Sequence, residues 1–332
     1  MPRARLSIQT YIDGVLSGDR VILSRAITLV ESTHPDDQLL AQELIKAVLH
    51  KTGNSYRIGI TGVPGVGKST FIDAFGTMLT EKGKRVAVLA IDPSSKQGQG
   101  SILGDKTRMQ RRSHNRSEYV RTSTTGGSLG GVAQKTRESL LLCEAAGYDT
   151  ILVETVGVGQ SETAVHAMVD AFLLLMLPNA GDDLQGIKKG VMEMADILVV
   201  NKSDGDYLPK ARAAKALYSQ ALRLFPHRES GWLPAVSLCS ALEETGLEDL
   251  WEALDDYQKL QKNGPWWLDK RAEQAVQWME DEIQRQLGDR FLQSPQVAAN
   301  LPQLREAVRN QQQSPIQAAR TIWNIWEASL RK

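Results

Sequence analysis

The run GVPGVGKS at 62–69 carries the sharpest chemical signal in the sequence. It matches GxxxxGK[ST] through Gly62, Gly67, Lys68 and Ser69, with Val63, Pro64, Gly65 and Val66 between them and Thr70 following. Glycines in this pattern let successive backbone N–H groups converge on phosphate oxygens at a helix N-terminus. Lys68 then reaches the β- and γ-phosphates, and the Ser69 hydroxyl can ligate Mg²⁺. An apolar strand-like stretch at 57–61 precedes the run and a helical stretch at 69–81 follows it, which is the context such a loop requires. The expectation is a bound nucleoside di- or triphosphate.

Carboxylates recur where a metal–phosphate site needs them. RVAVLAID reads as a second parallel strand with Asp92 at its carboxyl end, the edge at which open α/β sheets bind ligands. Asp92 can hold Mg²⁺ directly or through water, or it is a cap or turn residue; Asp105 in the next loop is a second candidate with the same alternatives. That loop, at 93–108, is rich in serine, glycine and charge, the composition of a segment ordered by nucleotide. YDTILVETVGVGQSE supplies a further strand ending in Glu154, whose carboxylate would orient Mg²⁺ or its waters, followed by Gly157. Gln160 or Glu162 could touch the attacking water, and either could equally cap a helix.

Base identity follows from DILVVNKSD, a buried strand running into Asn201, Lys202 and Asp204. In an NKxD pattern the aspartate accepts from guanine N1–H and the exocyclic amine, while adenine offers the wrong donors and leaves a buried charge unpaired. Ser240, Ala241 and Leu242 lie just past another strand and have the order of a backbone guanine clamp. Together these features favour GTP over ATP.

The elements that must position these residues are legible as texture. Short β-rich runs (RIGIT, RVAVLAID, YDTILVE, DAFLLLML, DILVVN, WLPAVS) alternate with helical stretches from residue 57 onward. Alternation of this kind means a mostly parallel sheet sandwiched by helices, the α/β fold of a P-loop NTPase. Residues 1–54 read as an N-terminal helical extension, with apolar spacing at Leu39, Leu40, Leu44, Ile45, Val48 and Leu49; 55–262 read as the nucleotide domain and 263–332 as a C-terminal helical arm. In that arm Trp323 and Trp326 fall on one stripe with Ile322, Ile325 and Leu330, which suits either a homodimer interface or packing of the arm on its own core.

Composition removes several classes. Lys plus Arg and Asp plus Glu number 39 each, so the chain lacks the basic footprint of a general nucleic-acid binder. The longest purely apolar run, 171–177, is far short of the ~20 residues a membrane-spanning helix needs. Two cysteines, Cys143 and Cys239, make no disulfide framework, and the expected setting is reducing and cytoplasmic. Five histidines without a CxC or His tract lack the ligand cluster that nickel or cobalt delivery would need.

GVPGVGKS, the Asp92 strand end, ETVGVGQSE, LPNAGDDLQGIKKG, NKSD and SAL occur in the order found in the MeaB/ArgK-type GTPases, and the chain resembles that family over about 40–290. The resemblance implies a GTP-binding, slowly GTP-hydrolysing chaperone that associates with an adenosylcobalamin-dependent methylmalonyl-CoA mutase or related mutase, protects it and gates its cofactor loading. It implies a homodimer through C-terminal helices, and it casts Asp92, Asp105 and Glu154 as magnesium-centred carboxylates. It also casts 179–189, with Asp182 and Lys188, as a further switch segment coupling nucleotide state to the mutase. The alternative is a nucleotide-dependent kinase acting on amino-acid transport proteins, which would have no need of a guanine-specific pocket.

Overall fold

The structure, a computed structural model, describes residues 5–91, 118–123, 129–155, 161–178, 189–226 and 228–330. Seven strands, β1 (Tyr56–Gly62), β2 (Val86–Ile91), β3 (Glu118–Ser123), β4 (Thr150–Thr155), β5 (Ala171–Met176), β6 (Ile197–Val200) and β7 (Ala235–Leu238), form one sheet in the order β3-β2-β4-β1-β5-β6-β7. Every pairing is parallel. Six strands coincide with the apolar runs of the sequence. The seventh, β3, has only Tyr119 and Val120 as apolar residues among its six, and no apolar run announces it; it lies at the sheet edge beside β2 alone.

Parallel strands need crossover helices, and the helices cover both faces. On one face α1 (Ile8–Leu16), α2 (Arg20–Glu31), α3 (Pro35–Val48), α5 (Leu129–Ala145) and α6 (Ser161–His166) bury Ala87, Leu89, Ile151, Val153 and Phe172. The N-terminal helices thus share a core with the sheet. Within α3 the inward stripe is Ala41, Leu44 and Val48, while Leu39 faces solvent, as does Leu49 just past the helix end. On the other face α4 (Lys68–Glu81), α9 (Leu247–Asn263) and the first turn of α10 (Trp266–Gln293) cover Ile58, Ile60, Val88, Leu173 and Val199. A third cluster joins Leu174, Met176, Leu198 and Val236 to α7 (Lys189–Met194) and α8 (Leu208–Leu222).

The amino edge of the sheet is set by a repeated device. Asp149, Asp170 and Asp196 stand immediately before β4, β5 and β6, and each carboxylate accepts from a backbone N–H at the start of the neighbouring strand. The donors are Arg85 at 3.1 Å, Arg57 at 2.8 Å and Phe172 at 2.7 Å. Each of these N–H groups lies beyond the ladder it shares with that neighbour, and for Phe172, which is buried, the carboxylate supplies the acceptor that water cannot. Asp196, fully buried, also takes Arg228 and the Tyr257 hydroxyl (2.8 Å). Burial alone would raise its carboxyl, but Lys270, Arg228 and Tyr257 hold it below the usual range.

The chain divides into two compact units, Met1–Gln274 and Ala275–Lys332, with the boundary inside α10. In the second unit α11 (Pro295–Arg309) and α12 (Pro315–Leu330) bury Val297, Ala318 and Ile322, and Phe291 stacks on Trp323 at 5.8 Å and meets Trp326 edge-on at 5.4 Å.

Candidate functional site

β1 ends at Gly62 between β4 and β5, so the loop at 63–67 leaves the centre of the sheet's carboxyl edge. Val66 N–H donates to Val63 C=O at 3.2 Å and closes the turn, and Gly67 at φ 90° starts α4. A side chain at Gly67 would require a left-handed conformation that L-residues rarely adopt and would approach Asn201 Nδ2 at 3.3 Å. No side chain caps α4, which leaves the first-turn N–H groups and the positive end of the helix dipole facing the loop. This is an anion cradle made of backbone.

Lys68 and Ser69 occupy that first turn. The Lys68 ammonium donates to Gly62 C=O at 3.0 Å; burial lowers its pKa, and the charges of Glu154 and Glu162 oppose that shift. Ser69 Oγ lies 3.5 Å from Glu154 Oε1, the longest of the contacts here. Glu154 sits near the end of β4, in register with Ile60 of β1 and Ala90 of β2. One residue on, the Thr155 hydroxyl donates to Thr61 Oγ1 at 2.9 Å and ties β4 to β1 below the loop. Ser69 and Glu154 therefore offer two hard oxygen donors at one point, a donor set that suits Mg²⁺. Asp92, Asp105, Gln160, Asp182 and Lys188 lie outside the described residues.

The second half of the site hangs from Asn201, which follows β6 and is 2% exposed. Its Nδ2 donates to Val66 C=O in the phosphate loop at 2.8 Å. Its Oδ1 accepts from Ala241 N–H at 3.1 Å and from the Cys239 thiol at 3.4 Å. Burial pushes that thiol up to about 12, so it stays protonated and can donate. Lys202, held at φ 59°, donates through Nζ to Gly65 C=O at 2.9 Å and makes a second strut to the same loop. Asp204 accepts from the buried Ser240 hydroxyl, which in turn takes Glu243 N–H at 3.1 Å. Leu242 is 76% exposed and leaves only its backbone as a contributor.

The structure thus brings Lys68, Ser69 and Glu154 together at one end of the loop and Asn201, Lys202, Asp204, Ser240 and Ala241 at the other. Chemically, such an arrangement can hold polyphosphate on backbone N–H groups and one ammonium, and can present a carboxylate to a base bearing two adjacent N–H donors. Sequence reasoning did not find Cys239 or the Thr61–Thr155 pair. Their partners are remote in the chain, and a lone cysteine or threonine carries no local signal.

Comparison with known proteins fits this geometry. The family model described as methylmalonyl Co-A mutase-associated GTPase MeaB matches residues 23–296. A probable GTPase of Mycobacterium tuberculosis is 50% identical over 311 residues, covering 94% of this chain and 93% of its own. The mouse mitochondrial methylmalonic aciduria type A homolog is 44% identical over 325 residues, covering 94% of this chain and 78% of its own. Among solved structures, that of a LAO/AO transport system kinase superposes with a TM-score of 0.75 at 35% identity and covers 98% of this chain and 100% of its own.

Proposed function

We propose that this chain, which belongs to the MeaB family of methylmalonyl-CoA mutase-associated GTPases, is a chaperone of an adenosylcobalamin-dependent acyl-CoA mutase of the methylmalonyl-CoA mutase type. In this role GTP hydrolysis protects the mutase and gates its cofactor loading. The observation that carries the nucleotide half of the reading is Asn201, one buried side chain bonded to both the phosphate loop and the loop after β7. Base and phosphates are then sensed by one rigid unit. The mutase half is supported by the family match over residues 23–296 and by the mouse relative's name.

Hydrolysis proceeds by in-line attack of water on the γ-phosphorus: a new P–O bond forms, the bond to the bridging oxygen breaks, and GDP and phosphate leave. Lys68 and the first-turn N–H groups of α4 meet the charge on the transferred group. Mg²⁺, when bound, neutralises β/γ-phosphate charge; Ser69 and Glu154 would hold it, with Asp92 and Asp105 completing the carboxylate set and Gln160 orienting the water. No arginine stands in these motifs, so turnover is slow until a partner completes the site. Asp182 and Lys188 belong to the segment that reports nucleotide state to the mutase.

A homodimer is supported by the second unit. Val276, Met279, Ile283 and Leu287 follow 3-4-4 spacing along α10 and are each at least 50% exposed, the seam of a helix that pairs with another. A cytoplasmic setting is part of the reading; no helix of the described residues is long and apolar enough to cross a membrane.

The test is co-purification of the protein with a methylmalonyl-CoA mutase in GDP and in a non-hydrolysable GTP analogue, alongside turnover of γ-labelled GTP and ATP. Nucleotide-dependent association, with label released only as phosphate from GTP, is the expected result. Association indifferent to nucleotide refutes the chaperone reading, and stable label on a partner protein would establish the kinase alternative.

A further inference from the structure

The first two turns of α10 are fastened to the amino edge of the sheet in a manner the GTPase chemistry does not require. Trp267, 8% exposed, packs 5.9 Å from the ring of Tyr56 at the start of β1. Arg271 lies over that indole at 4.5 Å. It donates to Ser55 C=O at 2.6 Å and to Gly53 C=O, just ahead of β1, and bonds both oxygens of Asp170 at 2.7 Å. Lys270 Nζ donates to Asp170 C=O at 2.7 Å, and Gln274 Nε2 donates to Val169 C=O at 2.9 Å and to His166 C=O at 3.5 Å. From residue 275 to the end of α10, no residue is buried.

Two different structures therefore grip this short stretch. One is the fixed start of β1, reached by Trp267 and Arg271. The other is the turn at 166–170, reached by Lys270, Gln274 and again Arg271. That turn leaves α6, a helix of 6 residues, and at ~1.5 Å per residue the two ends of α6 are only about 9 Å apart. The far end of α6 carries buried Ser161 and Glu162 and begins directly after the segment containing Gly157 and Gln160. Through its charge Glu162 also acts on Lys68 in the phosphate loop. A helix this short moves as one body, so a shift at its start reaches the His166 and Val169 carbonyls with little loss.

We infer that Lys270, Arg271 and Gln274 form a latch that transmits the nucleotide state, read by α6, to α10 and so to the chain that continues into the C-terminal unit. Arg271 keeps α10 registered against β1. Lys270 and Gln274 both bond the turn that leaves α6, Lys270 also lying 4.0 Å from Asp196 ahead of β6, and are the positions through which movement passes. The inference rests on GTP binding at the site described above and is independent of what the partner is.

Hydrogen–deuterium exchange of the full chain in GDP and in a non-hydrolysable GTP analogue tests it. Peptides covering 161–170 and 266–274 should change protection together, the second by about fivefold, the weight of one hydrogen bond in a local opening equilibrium. Gln274→Ala and Lys270→Met should each preserve the response of 161–170 and suppress that of 266–274. Gln277→Ala, which removes only an exposed bond to Asp281 within α10, should leave both responses intact. The latch is overturned if 266–274 exchanges identically in the two nucleotide states of the unaltered protein, if it responds while 161–170 does not, or if its response survives both latch variants. The first two outcomes need no variant to fold. Loss of GTP binding itself, seen in a separate titration, would instead strike the functional reading.

Discussion

Replacing Asn201 by alanine isolates the contact on which the nucleotide site turns. The substitution removes the donor to Val66 C=O and the acceptor of Ala241 N–H, in places where Val66 is 0% and Ala241 6% exposed. Each buried backbone group left without a partner costs about 1–3 kcal/mol, and the longer thiol contact adds little. Water entering the vacated volume recovers part of this, so the combined cost is about 2–3 kcal/mol. A thermodynamic cycle fixes where it emerges. If the two loops hold their places, nucleotide-free stability falls and affinity is unchanged; if they relax to satisfy themselves, stability is kept and GDP binds roughly 30- to 150-fold more weakly. The sum of the two terms is the same in either case. Fluorescent-GDP titration and urea unfolding of the nucleotide-free protein measure both. A combined change below about 1 kcal/mol would refute the claim that Asn201 braces the loops. Cys239→Ser, which keeps a donor toward Asn201 Oδ1, should leave GDP affinity within about threefold of the natural protein.

Other expectations follow from the same geometry. Gly59→Ala places a methyl group 2.8 Å from Val165 Cγ1 and 2.9 Å from Val169 and Phe172 atoms. Overpacking of about 1–3 kcal/mol, less up to about 1 for backbone entropy, should lower the urea midpoint at constant m-value, and an unchanged midpoint refutes the close approach of α6 to β1. Asp204→Asn should move base preference from guanine toward xanthine nucleotides in competition binding, and undiminished GTP selectivity would remove Asp204 from base recognition. Burial, aided by the Lys270 charge, lowers His166 to about 4, so the folded protein binds its proton less readily than the unfolded chain. Stability from this residue is present above the unfolded value of about 6.5 and is lost as pH falls toward 4, about 2 kcal/mol of it between pH 7 and 5. Urea unfolding at those two pH values should show the drop and His166→Gln should flatten it; an identical drop in the variant assigns the loss elsewhere.

What the sequence disclosed and what it withheld divide along a physical line. The phosphate loop, its strand and its helix are one contiguous segment, so local pattern suffices to place Lys68 and Ser69 at the start of α4. NKSD likewise ends an apolar strand, as its residues imply. The bracing of Val66 by Asn201 spans 135 positions and that of Asn201 by Ala241 spans 40, and no periodicity encodes such pairings. The β3 edge strand escaped because four of its six residues, Glu118, Arg121, Thr122 and Ser123, are polar and its neighbours in sequence are polar too. The aspartates before β4, β5 and β6 were visible as a recurring letter ahead of each apolar run. Their task as acceptors for a neighbouring strand's N–H becomes evident only once strand order is known.

The two edges of the sheet handle charge oppositely, and this difference explains how one scaffold can be both rigid and responsive. At the amino edge Glu144, Asp170 and Asp196 are met by Arg57, Arg271, Lys270 and Arg228 in fixed pairs. Burial opposes ionisation of Glu144, yet Arg57 and hydrogen bonds from Ser55 and Gly53 hold its carboxyl below the ordinary range. Such pairs add little net stability over an apolar core, but removing one partner costs about 3–5 kcal/mol, so they specify a single arrangement. At the carboxyl edge the described groups of the site are hydroxyls, backbone N–H groups, an amide and the charged side chains Lys68, Lys202, Glu154 and Asp204, with Lys68 bonded only to a carbonyl that phosphate can displace. Polyphosphate therefore supplies the missing counter-charge at one edge while the other cannot rearrange without leaving an ion unpaired. The latch inferred above uses this difference, since α6 lies in the crossover between the carboxyl end of β4 and the amino end of β5 and offers nucleotide-driven movement a route outside the strands.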